Sequence, residues 1–336
     1  MRDMRWARVR ACGMRVLRQG RATGGGAVVV LTYHRVRDTA LDPLHLATPP
    51  SRFDEHVAAI AKRYELMTAG QLFRLMRDGA RLPRRGLVIT LDDGYVDSLT
   101  NVLPILEAHG APATVFVCSG FLDGAREFWW DELEHVVLID EEPAPPVSIV
   151  SPGAPAFVRK ASTSRADLYR DLCAYFEPLT AVAREGALAS VREAFGASLA
   201  VRPEMRALSP DEVVRLESGG LVEIGAHTVN HARLASLPED DQHSEIATSK
   251  RDLEHACGHE LVSFSYPYGT AGSFTADTAR LVRQAGFLGA VTSEPDGSFP
   301  WGSASRGTDR FAVPRMATAD VSTSELVNTI DKRLGL

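Results

Sequence analysis

Cysteine is scarce in this chain, and the few cysteines are scattered. The 336 residues contain four, at positions 12, 118, 173 and 257, with no Cys-x-x-Cys pair. This spacing argues against a disulfide framework and against a cysteine-rich zinc site. The composition is otherwise that of an ordinary soluble globular protein, with 45% hydrophobic and 24% charged residues. A formal net charge of −6 gives no support for a nucleic-acid-binding surface.

Long apolar runs are also missing. No segment has the apolar stretch of a secretory signal or approaches the length of a membrane span, so we expect a cytoplasmic protein. The first 21 residues hold seven arginines and one acidic residue, and we interpret residues 1–26 as a basic leader. This leader is either a frayed end or a peripheral contact with an anionic membrane or another protein. The apolar side chains that would make such a contact are Met4, Val9, Met14 and Leu17.

What the chain does contain is a regular alternation of strand and helix patterns. Apolar, β-branched runs predict strands near residues 27–33, 87–91, 112–118, 221–226, 261–266 and 287–292. Helices are predicted after an N-cap at Ser51, after a capping box at Ser209, and near residues 69–78, 97–108, 239–256 and 274–285. This alternation is typical of βα units around a parallel sheet.

Residues 121–208 interrupt that rhythm with an aromatic-acidic patch, a proline-rich stretch and two helical patterns. We interpret this segment as an insertion or cap that packs on the main fold. The main fold then consists of residues 27–120 and 209–318, and a C-terminal helix occupies residues 319–336.

Two acidic residues stand at the end of one predicted strand. The run 87–91 is followed directly by Asp92, Asp93 and Gly94. Taken alone, this pattern is consistent with an Asp-Gly turn after a strand. Two adjacent ionised carboxylates repel each other, however, and a bound cation or a proton is the usual reason to hold them together.

A pair of histidines follows another predicted strand. His227 and His231 are four positions apart, directly after the run 221–226. An isolated pair at this spacing would be read as solvated, but the carboxyl ends of parallel strands meet at one rim. Because imidazole nitrogen and carboxylate oxygen both suit zinc and similar divalent ions, the conjunction with Asp92 and Asp93 predicts a metal site.

Three motifs, in this order, resemble those of a known family. Residues 90–94 (TLDDG) resemble the [TS]-[FL]-D-D-G motif of the polysaccharide deacetylases, also called carbohydrate esterase family four or the NodB-homology domain. Residues 227–231 (HTVNH) resemble the H-[ST]-x-x-H motif of the family, and residues 264–269 (FSYPYG) resemble its R-x-P-[YFW] motif. The resemblance covers about residues 27–120 and 209–318. It implies a distorted (β/α) barrel of about seven parallel strands with a helical insertion.

The resemblance also implies roles for individual residues. Asp93, His227 and His231 would bind a divalent metal ion, Zn²⁺ in the first place, although Co²⁺, Ni²⁺ and Mn²⁺ also suit these ligands. Asp92 would be the general base toward the attacking water. The backbone N–H of Tyr268 would bind the oxyanion.

Two neighbours of Tyr268 belong to the same motif. Pro267 is expected at the substrate wall. Tyr266 either lines that wall or packs under the turn at Pro267.

The chain departs from the family pattern at two places. The arginine of the third motif is replaced by Ser265, so the usual partner of Asp92 is absent. Arg315 is the candidate substitute, and a surface ion pair is its alternative role. No histidine occurs after His259, so the late histidine that serves as general acid in the family is also absent. His34 ends the first predicted strand and is the candidate acid, with a purely structural histidine as the alternative.

The sequence therefore predicts a metal-dependent hydrolase that removes acetyl from an N-acetylated amino sugar. The alternatives are a hydrolase of a non-sugar linear amide, a carbohydrate-binding pseudoenzyme and a membrane-peripheral scaffold protein. The expected substrate is intracellular, such as a lipid-linked or nucleotide-linked precursor of an exopolysaccharide, or a small glycoside. Trp129 and Trp130, followed by Asp131, either anchor the insertion or stack on sugar rings in the cleft.

Overall fold

The structure is a computed structural model, and it describes residues 26–139, 143–151, 154–161, 164–198, 200–293, 303–318 and 321–336. The membrane or protein contact expected of the basic leader falls on side chains outside these residues. Within the described residues, no helix combines the length and the apolar character needed to cross a bilayer.

Strands and helices alternate along most of the chain. The strands are β1 (Val28–Tyr33), β2 (Arg35–Val36), β3 (Ala47–Thr48), β4 (Glu65–Met67), β5 (Gly86–Leu91), β6 (Ala113–Val117), β7 (Val147–Ile149), β8 (Phe157–Arg159), β9 (Val222–Ala226), β10 (Ser263–Ser265), β11 (Gly289–Val291), β12 (Ser303–Ala304) and β13 (Met316–Ala317). The α-helices are α1 (Pro50–Ala61), α2 (Ala69–Arg77), α3 (Leu103–His109), α4 (Trp129–Leu138), α5 (Arg165–Phe176), α6 (Ala181–Phe195), α7 (Pro210–Glu217), α8 (Glu239–Cys257), α9 (Ala276–Gln284) and α10 (Thr323–Leu334). A π-helical turn, Ser98–Val102, leads into α3.

The main sheet is parallel and curled. Its neighbouring strands run in the order β11, β10, β9, β6, β5, β1, and β4 and β13 add parallel pairs beside β5 and β1. The exception is β12, which pairs with β1 in the antiparallel direction. Val313 bridges Val291 of β11, and Met316 of β13 pairs with Leu31 of β1. The segment 313–317 therefore links the two sides of the sheet, and the predicted distorted (β/α) barrel is confirmed.

Local sequence accounts for most of these elements. All residues of β1 and β5 are buried, which explains their unbroken apolar character, because strands of a parallel sheet are covered on both faces. The capping box predicted at Ser209 is present: its hydroxyl accepts from the Glu212 amide, and the Glu212 carboxylate accepts from the Ser209 amide. The predicted N-cap at Ser51 is wrong. The first helix begins two residues earlier than that cap implies, at Pro50 with Pro49 as N-cap, because proline is well suited to the first helical position.

The insertion between β6 and α7 packs directly on the barrel. It contains α4, the antiparallel pair of β7 and β8, and helices α5 and α6. Its buried apolar side chains form one cluster with Tyr95, which follows β5, and Cys118, which follows β6. The insertion therefore covers part of the rim where those two strands end.

Candidate active site

Polar side chains meet at the carboxyl ends of the parallel strands. Asp92 and Asp93 follow β5, and His227 follows β9. Nε2 of His227 lies 3.6 Å from Oδ1 of Asp93, and Nε2 of His231 lies 3.5 Å from the same atom. All four side chains are buried. The structure thus brings the three expected metal ligands together at one rim.

The group of Asp93, His227 and His231 has the properties of a cation site. Each residue offers a ligand atom within 4.8 Å of the other two. Oδ1 of Asp93 is buried and makes no hydrogen bond among the described residues, although buried carboxylates normally have partners. Burial and the neighbouring charge of Asp92 raise the pKa of Asp93 well above its ordinary value. A bound cation would reverse that shift.

The hydrogen bonding and burial of the two histidines also favour cation binding. Nδ1 of His227 lies 2.8 Å from the carbonyl oxygen of Ser265. Because that oxygen can only accept, Nδ1 carries the proton and Nε2 keeps its lone pair on the side of Asp93. Burial lowers the pKa of both His227 and His231, which favours the neutral form that binds metals. These residues therefore fit a divalent metal ion.

The backbone at this rim is strained. Among the described residues, five that are not glycine have a positive φ, and four of these, with φ from 50° to 72°, are Asp93, Thr228, His231 and Tyr268. Side chains other than glycine rarely adopt this left-handed region, and each such residue costs of order 1–3 kcal/mol. All four lie in the three motifs, so the strain coincides with the site.

Asp92 forms a two-pronged ion pair with Arg315. The guanidinium donates from one nitrogen to Oδ1 at 2.7 Å and from the other to Oδ2 at 2.6 Å. Arg315 is 0% exposed and its Nε donates to the carbonyl of Thr292 at 2.9 Å. Ser265 adds a hydroxyl contact of 3.3 Å to Oδ2 and itself accepts from Arg315 at 3.0 Å. Arg315 therefore occupies the position proposed for it, and the surface alternative is wrong.

This pair determines the charge state of Asp92. Burial alone would raise the pKa of the Asp92 carboxyl, but the charge and the hydrogen bonds of Arg315 outweigh burial and hold the pKa below its ordinary value. Asp92 therefore stays ionised beside Asp93, whose pKa moves in the opposite direction. Adjacent carboxyls whose pKa values shift in opposite directions are typical of sites in which one carboxyl accepts a proton and the other has a different role.

We expect both Arg315→Lys and Arg315→Ala to lower kcat, by roughly the 10–100-fold that loss of an outer-shell partner costs. An ammonium group cannot reproduce the two parallel hydrogen bonds to Asp92. In the alanine variant, the guanidinium charge no longer offsets the effect of burial on Asp92. The pKa of Asp92 therefore rises, and the acidic limb of the pH profile moves to higher pH. Measurements of kcat and KM against pH test this, with Arg280→Ala, at a partly exposed position of α9, as control. An alanine variant with the wild-type profile would contradict the positioning role.

His34 lies at the same rim, directly after β1. It is half-buried, and the negative charge of Asp92 reaches its imidazole. Burial lowers the pKa of His34 to about 4, so the ring is uncharged at neutral pH. It can therefore donate a proton only after it has received one within the site.

The third motif contributes one residue to the site and one to the core. The ring of Tyr268 lies 4.7 Å from the ring of His231, edge to face, and its amide donates to no backbone oxygen among the described residues. Pro267 is buried in the turn before it. Tyr266 does not line the substrate wall: its hydroxyl donates to the carbonyl of Phe311 at 2.9 Å, and its ring stacks on Phe274. The expectation that Tyr266 lines the substrate wall is therefore wrong, because these partners fix its side chain in the barrel core.

The insertion supplies a wall of the site through Trp130. Its ring lies 4.7 Å from that of His231, edge to face, and its indole N–H donates to the Tyr95 hydroxyl at 2.9 Å. Trp129 instead stacks on Phe176 inside the insertion. Both tryptophans are buried, which favours the anchoring interpretation over stacking on sugars.

The motif comparison did not identify the residues that connect this wall to the barrel. Arg35 donates to Oδ1 of Asp131 at 2.8 Å, and the Tyr95 hydroxyl donates to Oδ2 of Asp131 at 2.6 Å. Asp131 is 0% exposed, so this network fixes α4 against the ends of β1 and β5. Their positions in the sequence could have identified two of them, because Arg35 directly follows His34 and Tyr95 directly follows Gly94, both at the rim.

Comparisons of sequence with known proteins agree on one family. The polysaccharide deacetylase family model matches residues 79–140 and 181–290. The poly-beta-1,6-N-acetyl-D-glucosamine N-deacetylase of Escherichia coli (strain K12) is 34% identical over 86 residues, which is 25% of this chain but only 13% of that relative. The YxkH protein of Bacillus subtilis (strain 168) is 19% identical over 288 residues, covering 85% of this chain and 70% of YxkH.

Solved structures show the same fold at low identity. The deacetylase PplD of Streptococcus pyogenes, in complex with acetate, has a TM-score of 0.60 and 15% identity, covering 91% of this chain and 99% of that one. IcaB from Ammonifex degensii has a TM-score of 0.56 and 17% identity, covering 91% and 97%. The family model spans more than half of the chain, and the residues of its motifs meet at one rim. This chain belongs to the polysaccharide deacetylase family.

Proposed function

We propose that this protein is a metal-dependent N-deacetylase that acts on an N-acetylated amino sugar and gives a free amine and acetate. The observation that carries the proposal is the division of roles between two adjacent carboxyls. Asp93 faces His227 and His231, and its Oδ1 has no hydrogen-bond partner among the described residues, whereas Asp92 is held ionised by Arg315. The relative from Escherichia coli is named for the N-deacetylation of poly-beta-1,6-N-acetyl-D-glucosamine, which supports an N-acetylglucosamine-containing substrate.

Asp93, His227 and His231 would hold the ion, and Zn²⁺ is the first choice for two imidazoles and one carboxylate. When bound, a divalent ion lowers the pKa of water toward neutrality and polarises a carbonyl oxygen. These ligands leave coordination positions open, as a catalytic rather than a structural site requires.

Asp92 is placed to accept the proton of the attacking water. Each of its oxygens accepts one hydrogen bond from Arg315, which fixes the carboxylate plane and leaves a lone pair on Oδ1. Because the pKa of Asp92 is held below its ordinary value, the group is ready to accept a proton throughout the neutral pH range.

Tyr268 and His34 complete the proposed reaction. Tyr268 has a left-handed backbone and lies beside His231, and its amide N–H would stabilise the negative charge that develops on the acetyl oxygen. The amine must be protonated to leave, and the neutral imidazole of His34 would pass on a proton that it receives during turnover.

We expect His34→Ala to retain the fold and the bound ion but to lose roughly 10²–10⁴-fold in kcat, the usual contribution of general acid–base catalysis. Substrates whose leaving group departs without protonation should be largely rescued, and the alkaline limb of the pH profile should change. Parallel assays of an ordinary acetamide and an activated amide test this. Equal losses on both substrates, or no loss on the acetamide, would remove His34 from the proton pathway.

The experiment that tests the function is an acetate-release screen. The metal-loaded protein is assayed with N-acetylated mono-, oligo- and lipid-linked sugars, with Asp92→Asn as the inactive control. Release of equimolar acetate and free amine from a sugar supports the proposal. Hydrolysis confined to non-sugar amides would favour the alternative amidase, and sugar binding without acetate release would indicate a carbohydrate-binding pseudoenzyme.

A further inference from the structure

Three side chains with metal-binding groups meet at the opposite end of the barrel from the rim. Glu217 is the last residue of α7, Cys257 is the last residue of α8, and His259 follows two positions later. Helices α7 and α8 lead into β9 and β10, so this group lies where those strands begin. It shares no residue with the site of Asp93, His227 and His231.

The local backbone explains how Cys257 and His259 reach the same point. Gly258 caps α8 in the left-handed conformation, with φ 76° and ψ 13°. This turn, which glycine adopts without steric cost, folds the chain back after Cys257. One ligand atom from each of Glu217, Cys257 and His259 then lies within 4.8 Å of the other two.

His259 is oriented in the way that metal-binding histidines are. Nδ1 lies 3.1 Å from the carbonyl oxygen of Glu260, and Nε2 lies 2.7 Å from Oε2 of Glu217. The carbonyl keeps a proton on Nδ1, as the carbonyl of Ser265 does at Nδ1 of His227. At Nε2, His259 donates to the Glu217 carboxylate, so a bound cation would take the place of that proton.

The surrounding electrostatics favour positive charge. Helices α7 and α8 both end at this group, and the carboxyl end of a helix carries a partial negative charge. A thiolate and a carboxylate would add two further negative charges. The group also borders an open cavity of about 540 Å³, lined in addition by Glu223 and Glu260, so solvent or a small ligand has access to a fourth coordination position.

We propose that Glu217, Cys257 and His259 form a second divalent metal site that takes a thiophilic ion such as Zn²⁺. The sulfur, nitrogen and oxygen donors are those that Zn²⁺ accepts, whereas Mg²⁺ and Ca²⁺ prefer oxygen alone. Binding displaces the thiol proton of Cys257 and the Nε2 proton of His259 to solvent, and the ion forms bonds to the sulfur and to Nε2. The ion ties the end of α7 to the end of α8.

The test is a Co²⁺ titration of the metal-free full chain, followed by optical absorption. A thiolate-to-cobalt charge-transfer band reports this site alone, because the group at the rim contains no cysteine. We expect the band in the wild type, its loss in Cys257→Ser, and its retention in the control Cys173→Ser, which changes a half-buried cysteine in the insertion. In His259→Asn, at an exposed position, affinity should fall by more than the roughly 10–100-fold typical of outer-shell changes.

Far-UV circular dichroism and thermal unfolding establish that each variant is folded before titration. A wild type that binds Co²⁺ without a thiolate band would overturn the proposal. So would a band that persists in Cys257→Ser or disappears in Cys173→Ser, because the sulfur ligand would then be a different cysteine.

Discussion

Asp92→Asn is expected to lose at least roughly 10²–10⁴-fold in kcat while it keeps the ion at the rim. The amide has nearly the same shape as the carboxylate but cannot accept the proton of the attacking water. The proposed metal ligands are untouched, because Oδ1 of Asp93 rather than an Asp92 oxygen lies closest to both imidazoles. The measurement pairs acetate-release kinetics with elemental analysis of the same preparation.

Stability must be controlled in this variant. Arg315 is 0% exposed, and removal of one partner from a buried ion pair typically costs 3–5 kcal/mol. Rates are therefore compared at temperatures where circular dichroism shows both proteins folded. Ser265→Ala is the matched control, since it removes a contact to Asp92 without changing charge, and it should retain most of the activity.

Asp93→Asn provides the contrast. We expect it to lose both activity and the ion, because the charged oxygen that faces His227 and His231 becomes a neutral amide. Different outcomes at adjacent positions would separate a proton acceptor from a metal ligand. Equal loss of metal in Asp92→Asn and Asp93→Asn would mean that the two roles are wrongly assigned.

The second large effect is expected for His231→Ala, which should lower the bound metal by one ion per chain and abolish turnover. A site with three protein ligands has no spare donor, so removal of one imidazole weakens affinity severely. Both the variant and its parent should carry Cys257→Ser, which keeps any ion bound at Glu217 and His259 out of the count. Elemental analysis after exhaustive dialysis gives the number of ions.

Two further variants separate ligand loss from backbone strain. His231 has φ 50°, so a substitution there also alters a strained turn, whereas His227 is outside the left-handed region. His227→Ala should therefore lose the same ion, and His243→Ala, at an exposed position of α8, should retain it. Full metal occupancy in either rim variant would exclude this group as the metal site.

The sequence by itself determined the main strands and helices, whereas the start of α1 and several short strands were not predicted from it. Continuous apolar runs identified β1 and β5, and the capping box at Ser209 identified the start of α7. Because the carboxyl ends of parallel strands share a rim, a carboxylate pair after β5 and a histidine pair after β9 were sufficient to predict that they meet. These signals are local. The parallel direction of the strands determines that the residues after them lie at the same end of the sheet.

Only the tertiary structure decided which distant side chains support that rim. Arg315 reaches Asp92 across 223 positions of sequence because the segment 313–317 closes the sheet between β11 and β1. The same packing turned Tyr266 into the core and left Tyr268 beside His231. It also brought Trp130 of the insertion against that histidine. The motif pattern had pointed to Arg315 and Tyr268, but the core position of Tyr266 and the contact of Trp130 depend on how the strands and the insertion pack.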